Sequence, residues 1–378
     1  MIMRFGIIGL GNHAINRVMP AIVTSGNQIS AVYSRNLEKA RKEGIPYGSD
    51  PYDDLDDFFN KGDFESVYIA SPNFLHYSQA MKSLENGKNV LLEKQMTLRN
   101  EDAAELVSTA NRRGLALAVG FHMRFHPAVA EVRNMVRSGD LGKITYIRGT
   151  WAGLSQPSSD NPDRQWWSDE DKVGGGSVMG TGVHVLDTIN HIMGAWPTRV
   201  SALRFPHGKV IDTTECVTME FSGSMAMAVS SRAIKNPRND LEISGTKGTV
   251  VVHDVFSTSV RAKMELPDGS VKGFESGNMY AEEVKAFVDM ANDKDSIIAR
   301  GRDGEAVVRI VTHSVVSMTL PWGNRGYSGI LEGYDVYMNL VIKNAGETIG
   351  GETKGVYDRI LVRGDNVIFV SPSKGDNQ

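Results

Sequence analysis

Hydrophobic and polar positions alternate with two different periods over the first third of the chain. Short runs rich in isoleucine and valine have the length of strands, whereas the stretches between them repeat apolar residues as amphipathic helices do. The predicted strands are residues 5–8, 29–33, 67–70, 90–92 and 115–119, and the predicted helices are residues 36–42, 51–59, 75–85 and 100–112. Strands and helices that alternate in this way build a parallel sheet covered on both faces. We therefore predict an α/β domain over residues 1–121.

The pattern changes after this region. From residue 143 to about residue 274, segments such as "KITYIRGTWAG", "CVTMEF" and "LEISGTKGTVVVH" are separated by turns rich in glycine and asparagine. Because strands joined by such turns usually pair antiparallel, we predict an α+β domain with a mostly antiparallel sheet over residues 122–317. A third pattern, of short alternating strands with glycine turns, predicts a small, strongly bent antiparallel barrel over residues 318–378.

Composition narrows the class of protein without indicating its chemistry. The 378 residues exceed what one hydrophobic core supports, and 41% hydrophobic with 23% charged residues is typical of a globular protein. A formal net charge of −4 does not indicate nucleic acid or an anionic membrane as a partner. The single cysteine excludes an internal disulfide framework. With no secretory leader and no apolar run near the ~20 residues of a membrane span, we predict a cytoplasmic protein with no membrane partner.

A glycine-rich turn follows the first predicted strand. Gly9 and Gly11 are followed by Asn12, His13 and Ala14, which gives a G-x-G-x-x-A pattern between a strand and a helix. The two glycines permit a tight turn and a close approach of the backbone to a pyrophosphate, and the small Ala14 lets the helix pack against the strand. In this context the pattern predicts a dinucleotide-binding Rossmann domain. The alternative is a plain tight turn.

The end of the second predicted strand bears on which dinucleotide binds. NAD-specific Rossmann domains usually place an acidic residue here to bind the ribose 2′-hydroxyl. The chain has Ser34 and Arg35 instead, and these side chains suit the 2′-phosphate of NADP. The sequence therefore favours NADP, and NAD is the alternative if Arg35 is a solvated surface charge.

Three further segments carry a resemblance to a known family. "IASPNFLHYSQAMKSLENGKNVLLEKQM", "AVGFHMRFHPAV" and "GGGSVMGTGVHVLDTINHIMG" resemble, in order and spacing, the glucose–fructose oxidoreductase, inositol dehydrogenase and rhizopine-catabolism (Gfo/Idh/MocA) family over residues 3–317. The resemblance implies hydride transfer between NADP or NAD and a sugar, polyol or ketosugar. It also implies that Lys94 is catalytic, beside the nicotinamide, where a donor must polarise the reacting oxygen and pass a proton. The predicted cofactor contacts are Gly9, Gly11, Asn12, His13, Ser34, Arg35, Ser71, Pro72, Asn73, His76, Glu93 and Lys94.

Two positions depart from the family pattern. Gln95 follows Lys94 where the family usually has proline, which predicts a reshaped turn. Gly180 stands where the family usually has an aspartate, four residues before His184. The resemblance assigns His184 to catalysis, and the missing carboxylate leaves proton transfer to Lys94 and His184. Asp187 is predicted to orient His184 from the same helical face, and a packed structural histidine is the alternative.

A set of side chains is predicted to reach the substrate. These residues are Lys94, Arg124, Trp166, His184 and Asp187. Aromatic faces and guanidinium groups suit hydroxylated rings, although packing in a core or a lid is the alternative for the tryptophan. His184, Asp187 and His191 share one face of a predicted helix, but such triplets are common on amphipathic helices, so we predict no metal site.

The tail carries a second resemblance. "GILEGYDVYMNLVI" and "ILVRGDNVIFVSP" resemble the two motifs of the Sm and Sm-like (LSm) proteins over residues 316–373. The resemblance implies that Tyr337 stacks on a base, that Asn339 binds the edge of that base, and that Arg363, Gly364 and Asp365 close the pocket. Stacking combined with edge recognition suits single-stranded RNA. U-rich RNA, bound by a ring of subunits, is what the resemblance implies.

Three hypotheses follow from these features. The first is a nicotinamide-dependent sugar oxidoreductase fused to an Sm-like RNA-binding module. The second is an Sm-like ring protein for U-rich RNA whose oxidoreductase domain is non-catalytic or senses a cofactor. The third is a cofactor-binding protein that has lost turnover, for which Gly180 is the main indication. In each case we expect a homo-oligomer, because both resembled families assemble from several subunits.

Overall fold

The computed structural model describes residues 2–155, 166–207, 209–257, 261–316, 325–334, 340–349 and 352–362. The chain divides into two units, Met1–Val316 and Ser317–Gln378, and each is described by itself. Among the helices in these ranges, none has both the length and the apolar stretch that crossing a bilayer requires.

Seven strands of the first unit form one sheet. They are β1 (Arg4–Ile8), β2 (Gln28–Tyr33), β3 (Asp50–Tyr52), β4 (Ser66–Ile69), β5 (Asn89–Leu92), β6 (Leu117–Val119) and β15 (Ala299–Arg300). The order across the sheet is β15-β6-β5-β4-β1-β2-β3. Strands β1 to β6 pair in parallel, and β15 adds one antiparallel edge strand. The predicted parallel sheet is confirmed, and its order reverses between β1 and β4, where Rossmann sheets bind their ligands.

Helices cover both faces of this sheet. They are α1 (Met19–Thr24), α2 (Leu37–Gly44), α3 (Leu55–Lys61), α4 (Asn73–Glu85), α5 (Asn100–Arg113), α9 (Met279–Ala291) and α10 (Gly301–Val316). On one face Phe5 and Ile7 pack with Phe287 of α9. On the other face Ile8 and Val67 belong to the core that includes α5 and α10. Residues from the end of the unit therefore complete the first sheet.

Eight strands of the first unit form a second sheet. They are β7 (Ile144–Ala152), β8 (Arg199–Phe205), β9 (Thr214–Phe221), β10 (Ser224–Ser231), β11 (Leu241–Gly245), β12 (Gly248–His253), β13 (Arg261–Glu265) and β14 (Val271–Glu275). The order is β14-β13-β12-β11-β7-β10-β9-β8, and every neighbouring pair is antiparallel except β7 with β10. The prediction of a mostly antiparallel sheet is confirmed.

One buried helix links this sheet to the functional residues. The helices of this region are α6 (Pro127–Ser138), α7 (Glu170–Val173) and α8 (Val183–Met193), and α8 continues directly from a π-helical turn at Val178–Gly182. A Cβ atom on Gly149 of β7 would lie 2.5 Å from Cγ1 of Val185. Glycine therefore lets α8 lie close against β7, which fixes the side chains of α8 relative to the sheet.

The second unit contains three described strands. They are β16 (Arg325–Tyr334), β17 (Leu340–Ile349) and β18 (Glu352–Val362), and they form one antiparallel sheet in sequence order. The ladder between β16 and β17 has two register shifts, which bend a sheet. Closure of these strands into the expected barrel stays a prediction.

Candidate active site

The two glycines of the turn after β1 differ in their surroundings. Gly9 has a φ of +93°, and a Cβ atom there would lie 2.6 Å from the backbone nitrogen of Ser71. A Cβ atom on Gly11 would meet nothing within 4 Å, so this position opens onto space rather than onto protein. The amide of Ile15 donates to the carbonyl of Gly11 at 3.0 Å, which starts the helix immediately after the turn. The backbone of this turn can thus lie close to a bound pyrophosphate.

A cavity of about 1110 Å³ lies above this turn. Among the predicted cofactor contacts, all but His76 line it; they are Gly9, Gly11, Asn12, His13, Ser34, Arg35, Ser71, Pro72, Asn73, Glu93 and Lys94. The predicted substrate residue Trp166 lines it as well, together with Trp167. This volume is slightly above the usual range of about 300–1,000 Å³ for small-molecule sites in proteins. We call this space the main cavity.

The end of the main cavity at β2 carries positive charge. Arg35 and Lys39 both line it, and Asn36 caps α2 by accepting a hydrogen bond from the amide of Lys39 at 3.1 Å. The hydroxyl of Ser34 accepts from the amide of Asn36 at 3.3 Å. The carboxylates among the described lining residues are Glu93 and Asp169, and neither belongs to this segment.

A buried carboxylate closes the opposite end. Oε1 of Glu93 lies 3.0 Å from Nε2 of His13 and accepts a hydrogen bond from the hydroxyl of Tyr68 at 2.7 Å. Burial by itself would raise the pKa of Glu93, but attraction by His13 and Lys94 and these hydrogen bonds lower it to about 2. Glu93 is therefore ionised at neutral pH, and it forms a fixed negative charge beside Lys94.

Lys94 is held by the backbone of the helical turn before α8. Its Nζ atom donates to the carbonyl oxygen of Gly180 at 3.0 Å, and the side chain is partly buried. Burial lowers the pKa of Lys94, while attraction by Glu93 acts in the opposite direction. The peptide bond between Lys94 and Gln95 is cis.

His76 lies behind the cavity wall rather than on it. Its ring is fully buried, with Nδ1 2.7 Å from the carbonyl oxygen of Gln95 and Nε2 2.8 Å from that of Ser71. The ring therefore connects the loop after β4 to the loop after β5. The structure places it as a support for the residues that line the cavity, although the sequence predicted a cofactor contact.

His184 occupies an aromatic enclosure one helical turn beyond Gly180. Its ring centroid lies 4.8 Å from that of His122, 5.2 Å from that of Trp151 and 5.9 Å from that of Phe121. Nδ1 is buried and has no hydrogen-bond partner among the described residues. Burial, together with repulsion by neighbouring groups, lowers the pKa of His184 well below its usual range. The ring is therefore neutral at physiological pH.

Asp187 does not orient His184, contrary to the expectation from helical spacing. Both of its oxygens accept hydrogen bonds from Arg124, at 2.8 Å from Nε and 2.6 Å from Nη2. Arg124 also donates to the carboxylate of Asp303 at 3.3 Å, and all of these contacts lie away from the lining of the main cavity. Arg124 and Asp187, both predicted to reach the substrate, instead form a buried ion pair between the turn at His122–Phe125 and α8. The contact of Arg124 with Asp303 extends this pair to the start of α10.

Two stacked tryptophans form part of the cavity wall. The rings of Trp166 and Trp167 lie 4.7 Å apart at an angle of 30°, and Phe74 meets Trp166 edge-on at 6.4 Å. The Nζ atom of Lys172 lies over the ring of Phe74 at 5.9 Å. Trp166 therefore lines the main cavity and also packs on its neighbours, and its contact with a substrate stays a prediction.

Asp212 anchors the start of the helix that carries Gly180 and His184, and sequence reasoning missed it. Its carboxylate accepts from the amides of Gly176 and Ser177 at 2.6 and 2.8 Å and from the hydroxyl of Ser177. A Cβ atom on Gly176 would lie 1.7 Å from the carbonyl oxygen of Asp212, so only glycine fits. The triple glycine before this helix was the available signal for a close backbone approach.

The predicted RNA-binding residues lie outside the described residues. They are Tyr337, Asn339, Arg363, Gly364 and Asp365. The described part of the same unit contains a buried carboxylate, Glu347, which accepts from the hydroxyl of Tyr327 at 3.1 Å and from that of Tyr357 at 2.9 Å. Ile330, Val356 and Leu361 are exposed.

Comparison with known proteins identifies three regions. Residues 3–121 match the family described as "Oxidoreductase family, NAD-binding Rossmann fold", and residues 129–251 match the "GFO/IDH/MocA C-terminal domain". Residues 311–372 match the "LSM domain". Both resemblances that the sequence motifs indicated are confirmed.

Individual relatives agree with this division. The dTDP-3,4-didehydro-2,6-dideoxy-alpha-D-glucose 3-reductase of Streptomyces violaceoruber is 32% identical over 280 residues, which cover 71% of this chain and 79% of the relative. A protein described as snRNP Sm-like, from Thermoplasma volcanium, is 82% identical over 56 residues, 15% of this chain and 68% of the relative. A 3-ketoreductase from Actinomadura kijaniata, solved with NADP and TDP-benzene, has a TM-score of 0.71 at 22% identity, covering 84% of this chain and 98% of that chain.

Proposed function

The chain belongs to the Gfo/Idh/MocA oxidoreductase family and carries an LSM domain, and from this premise we propose that its first unit is an NADP-preferring oxidoreductase of sugar-type substrates. Hydride moves between the nicotinamide and a carbon of the substrate, and Lys94 handles the proton. The observation that carries the proposal is the position of Lys94, on the wall of the main cavity with Nζ held 3.0 Å from the carbonyl oxygen of Gly180.

The surroundings of Lys94 define its chemistry. Its ammonium can donate a proton to a carbonyl oxygen that gains charge, and its neutral amine can accept that proton in the reverse direction. Because burial lowers the pKa of Lys94, the neutral form is reached closer to neutral pH than in an exposed lysine. A bound nicotinamide supplies or accepts the hydride. His184 is buried and is not among the residues that line the main cavity, so its predicted part in proton transfer stays a prediction.

The preference for NADP rests on the end of the main cavity at β2. The Arg35 guanidinium and the Ser34 hydroxyl would hold a 2′-phosphate there, and Lys39 lines the same cavity. NAD-specific sites need a carboxylate that binds the ribose hydroxyl, and the described lining of this segment supplies none. A guanidinium that binds a phosphate forms strong, charge-assisted hydrogen bonds.

The substrate class follows from the space around Lys94. A Cβ atom on Gly180 would meet nothing within 4 Å, so the space next to this residue is open. The Trp166 and Trp167 rings offer an aromatic face to a sugar or to a base attached to it. The Streptomyces relative reduces a nucleotide-linked keto sugar by its name, so nucleotide-linked and free keto sugars are the first substrates to test.

A rate assay tests this function. Initial rates of nicotinamide oxidation or reduction are measured with NADPH, NADH and their oxidised forms against a panel of sugars, polyols, keto sugars and nucleotide sugars. We expect turnover with at least one of them, and a loss of about 10²-fold or more in Lys94→Ala with little change in cofactor affinity. Lys94→Arg is the charge-matched control and remains inactive, because arginine cannot release its proton. Cofactor binding without turnover on any substrate would instead support a binding protein.

We propose separately that the second unit binds single-stranded U-rich RNA. Support comes from the LSM match and from the predicted pocket residues, which are all present in the sequence. Fluorescent oligouridine is titrated with the intact chain and with Tyr337→Ala combined with Arg363→Ala, and Lys343→Ala serves as a control for lost charge outside the pocket. Binding that only the double variant loses supports the proposal, and equal binding by all three proteins contradicts it.

Homo-oligomerisation of the chain is part of the same proposal. Sm-like pockets act together when subunits form a ring, because linked sites raise the effective concentration of each one. Light scattering on the intact chain, with and without oligouridine, measures the number of subunits.

A further inference from the structure

We propose that a second cavity in the first unit binds a small oxyanion, such as a phosphate or carboxylate group. The cavity has a volume of about 360 Å³ and lies among α6, the carboxyl end of α8 and the start of α10. Its lining residues include Arg124, Arg133, Asn190, His191, Arg300 and Asp303. None of its lining residues belongs to the main cavity, so the two sites are distinct. We call it the arginine cavity.

Positive charge in the arginine cavity exceeds negative charge. Three guanidinium groups line it against the single carboxylate of Asp303. Arg124 is already neutralised by Asp187 and Asp303. Arg133 donates from Nε to the carbonyl oxygen of His191 at 3.0 Å, and it has no acidic partner within the described ranges. The side chain of Arg300 is exposed and forms no ion pair within the described ranges.

Titration of the neighbouring groups agrees with an excess of positive charge. Burial and repulsion by Arg137 and Arg124 lower the pKa of Arg133. Burial and repulsion by Arg124 and Arg133 lower the pKa of His191 to about 2. Burial and repulsion thus disfavour the charged forms of both groups. A bound anion would stabilise these charged forms by attraction.

A buried amide provides an independent indication of a ligand. Asn190 lines the arginine cavity and is only 5% exposed, yet neither Nδ2 nor Oδ1 has a hydrogen-bond partner in the described part of the chain. Buried amides in proteins are normally satisfied by protein, water or ligand. Both amide atoms are themselves shielded from solvent, so an anion in the cavity can accept from Nδ2 only after the side chain rotates toward it. Guanidinium groups bind the other oxygens of a phosphate or carboxylate, often in pairs.

Calorimetric titration with inorganic phosphate at constant ionic strength tests the proposal on the intact chain saturated with NADP. We expect saturable binding that weakens about tenfold in Arg133→Gln and in Arg300→Gln, the effect of one lost charge-assisted hydrogen bond. Arg137→Gln is the matched control, because Arg137 lies one turn after Arg133 on α6 and does not line the cavity. The unfolding temperature of each variant is measured first. If Arg133→Gln fails to fold, Arg300→Gln still tests the proposal, because Arg300 is exposed and its replacement should not disturb the fold.

Two further arms separate the possible outcomes. Glucose 6-phosphate and acetate are titrated beside inorganic phosphate. Tightest binding of glucose 6-phosphate indicates a phosphorylated metabolite as the natural ligand, tightest binding of acetate indicates a carboxylate, and tightest binding of inorganic phosphate indicates the free ion. Phosphate is also titrated without NADP. Binding that occurs only without NADP, or that Arg35→Gln removes, lies in the main cavity and overturns the proposal. Absence of saturable binding by all three anions also overturns it. Because binding is measured without turnover, the result does not depend on whether the proposed oxidoreductase activity is found.

Discussion

The Nζ atom of Lys94 donates a hydrogen bond to the carbonyl oxygen of Gly180, 3.0 Å away, at the position where the family usually has an aspartate. The lysine is therefore tied to the backbone of the residue that lacks the carboxylate. The nearest fixed negative charge along the chain is Glu93, whose Oε1 is engaged by His13 and Tyr68 and whose Oε2 accepts from the backbone amide of Lys94 at 3.2 Å. Lys94 can thus donate to a substrate oxygen after releasing one neutral carbonyl, without first breaking an ion pair.

Gly180→Asp tests this relationship directly. The Cβ position is open and the backbone of Gly180 is helical, so we expect the variant to fold. A carboxylate beside Lys94 stabilises the ammonium and raises the pKa of Lys94, by about one unit or more for an opposite charge at close range. The limb of the pH–rate profile that reports Lys94 should move to higher pH by that amount. Gly180→Asn is the isosteric control without charge, and identical profiles for the two variants would contradict the argument.

Arg35→Gln tests the preference for NADP. Loss of a guanidinium–phosphate contact should weaken NADP binding by about tenfold, an effect of about 1.4 kcal/mol, and should leave NAD binding nearly unchanged. The affinities for NADPH and NADH are measured by the fluorescence of the reduced nicotinamide at two salt concentrations, since the contact is electrostatic. Arg41→Gln is the control, because Arg41 is an exposed arginine on the nearby α2 and does not line the main cavity. Equal weakening of both cofactors would show that Arg35 does not bind the 2′-phosphate.

Local sequence patterns predicted those features that depend on neighbouring residues. The parallel sheet follows from strand-length apolar runs, and the cavity floor follows from Gly9 and Gly11. The short strands β3 and β15 were not predicted, because pairing with a neighbouring strand, not an apolar run, places them. The stretch predicted as a helix from residue 51 begins instead as β3, and its helix starts at Leu55.

Side-chain partners far apart in sequence limited the prediction of the site. Helical spacing put Asp187 beside His184, but Arg124, 63 residues earlier, binds both of its oxygens. Asp212 binds the amides of Gly176 and Ser177 from 36 and 35 residues away. The spacing of residues along the chain contains no information on such distant pairs. Lys94 was predicted because it lies in a family motif, and members of a family share the tertiary surroundings of their motifs.

Arg124→Met tests the buried ion pair. Removal of the guanidinium leaves the Asp187 carboxylate buried without its partner, which should cost about 3–5 kcal/mol of unfolding free energy. The double variant with Asp187→Leu removes both charges and should recover a large part of that loss. Denaturant unfolding of the first unit, followed by intrinsic fluorescence, measures each free energy. A double variant no more stable than Arg124→Met would mean that lost packing, not an unpaired charge, dominates.

His253 should make stability depend on pH near neutrality. Burial by itself would lower the pKa of His253, but hydrogen bonds to Glu265 and Asp240 outweigh it, so the folded-state pKa is raised. A raised pKa means that the protonated ring stabilises the fold fully below the unfolded value of about 6.5, and that this contribution is lost as the pH rises through the folded pKa. The unfolding temperature of the intact chain should therefore decrease as the pH rises from about 6 to about 8. The unfolding temperature of His253→Gln should decrease less over the same interval. Parallel pH dependence in the two proteins would place the titrating group elsewhere, and Glu265→Gln, which removes one partner, should give an intermediate slope.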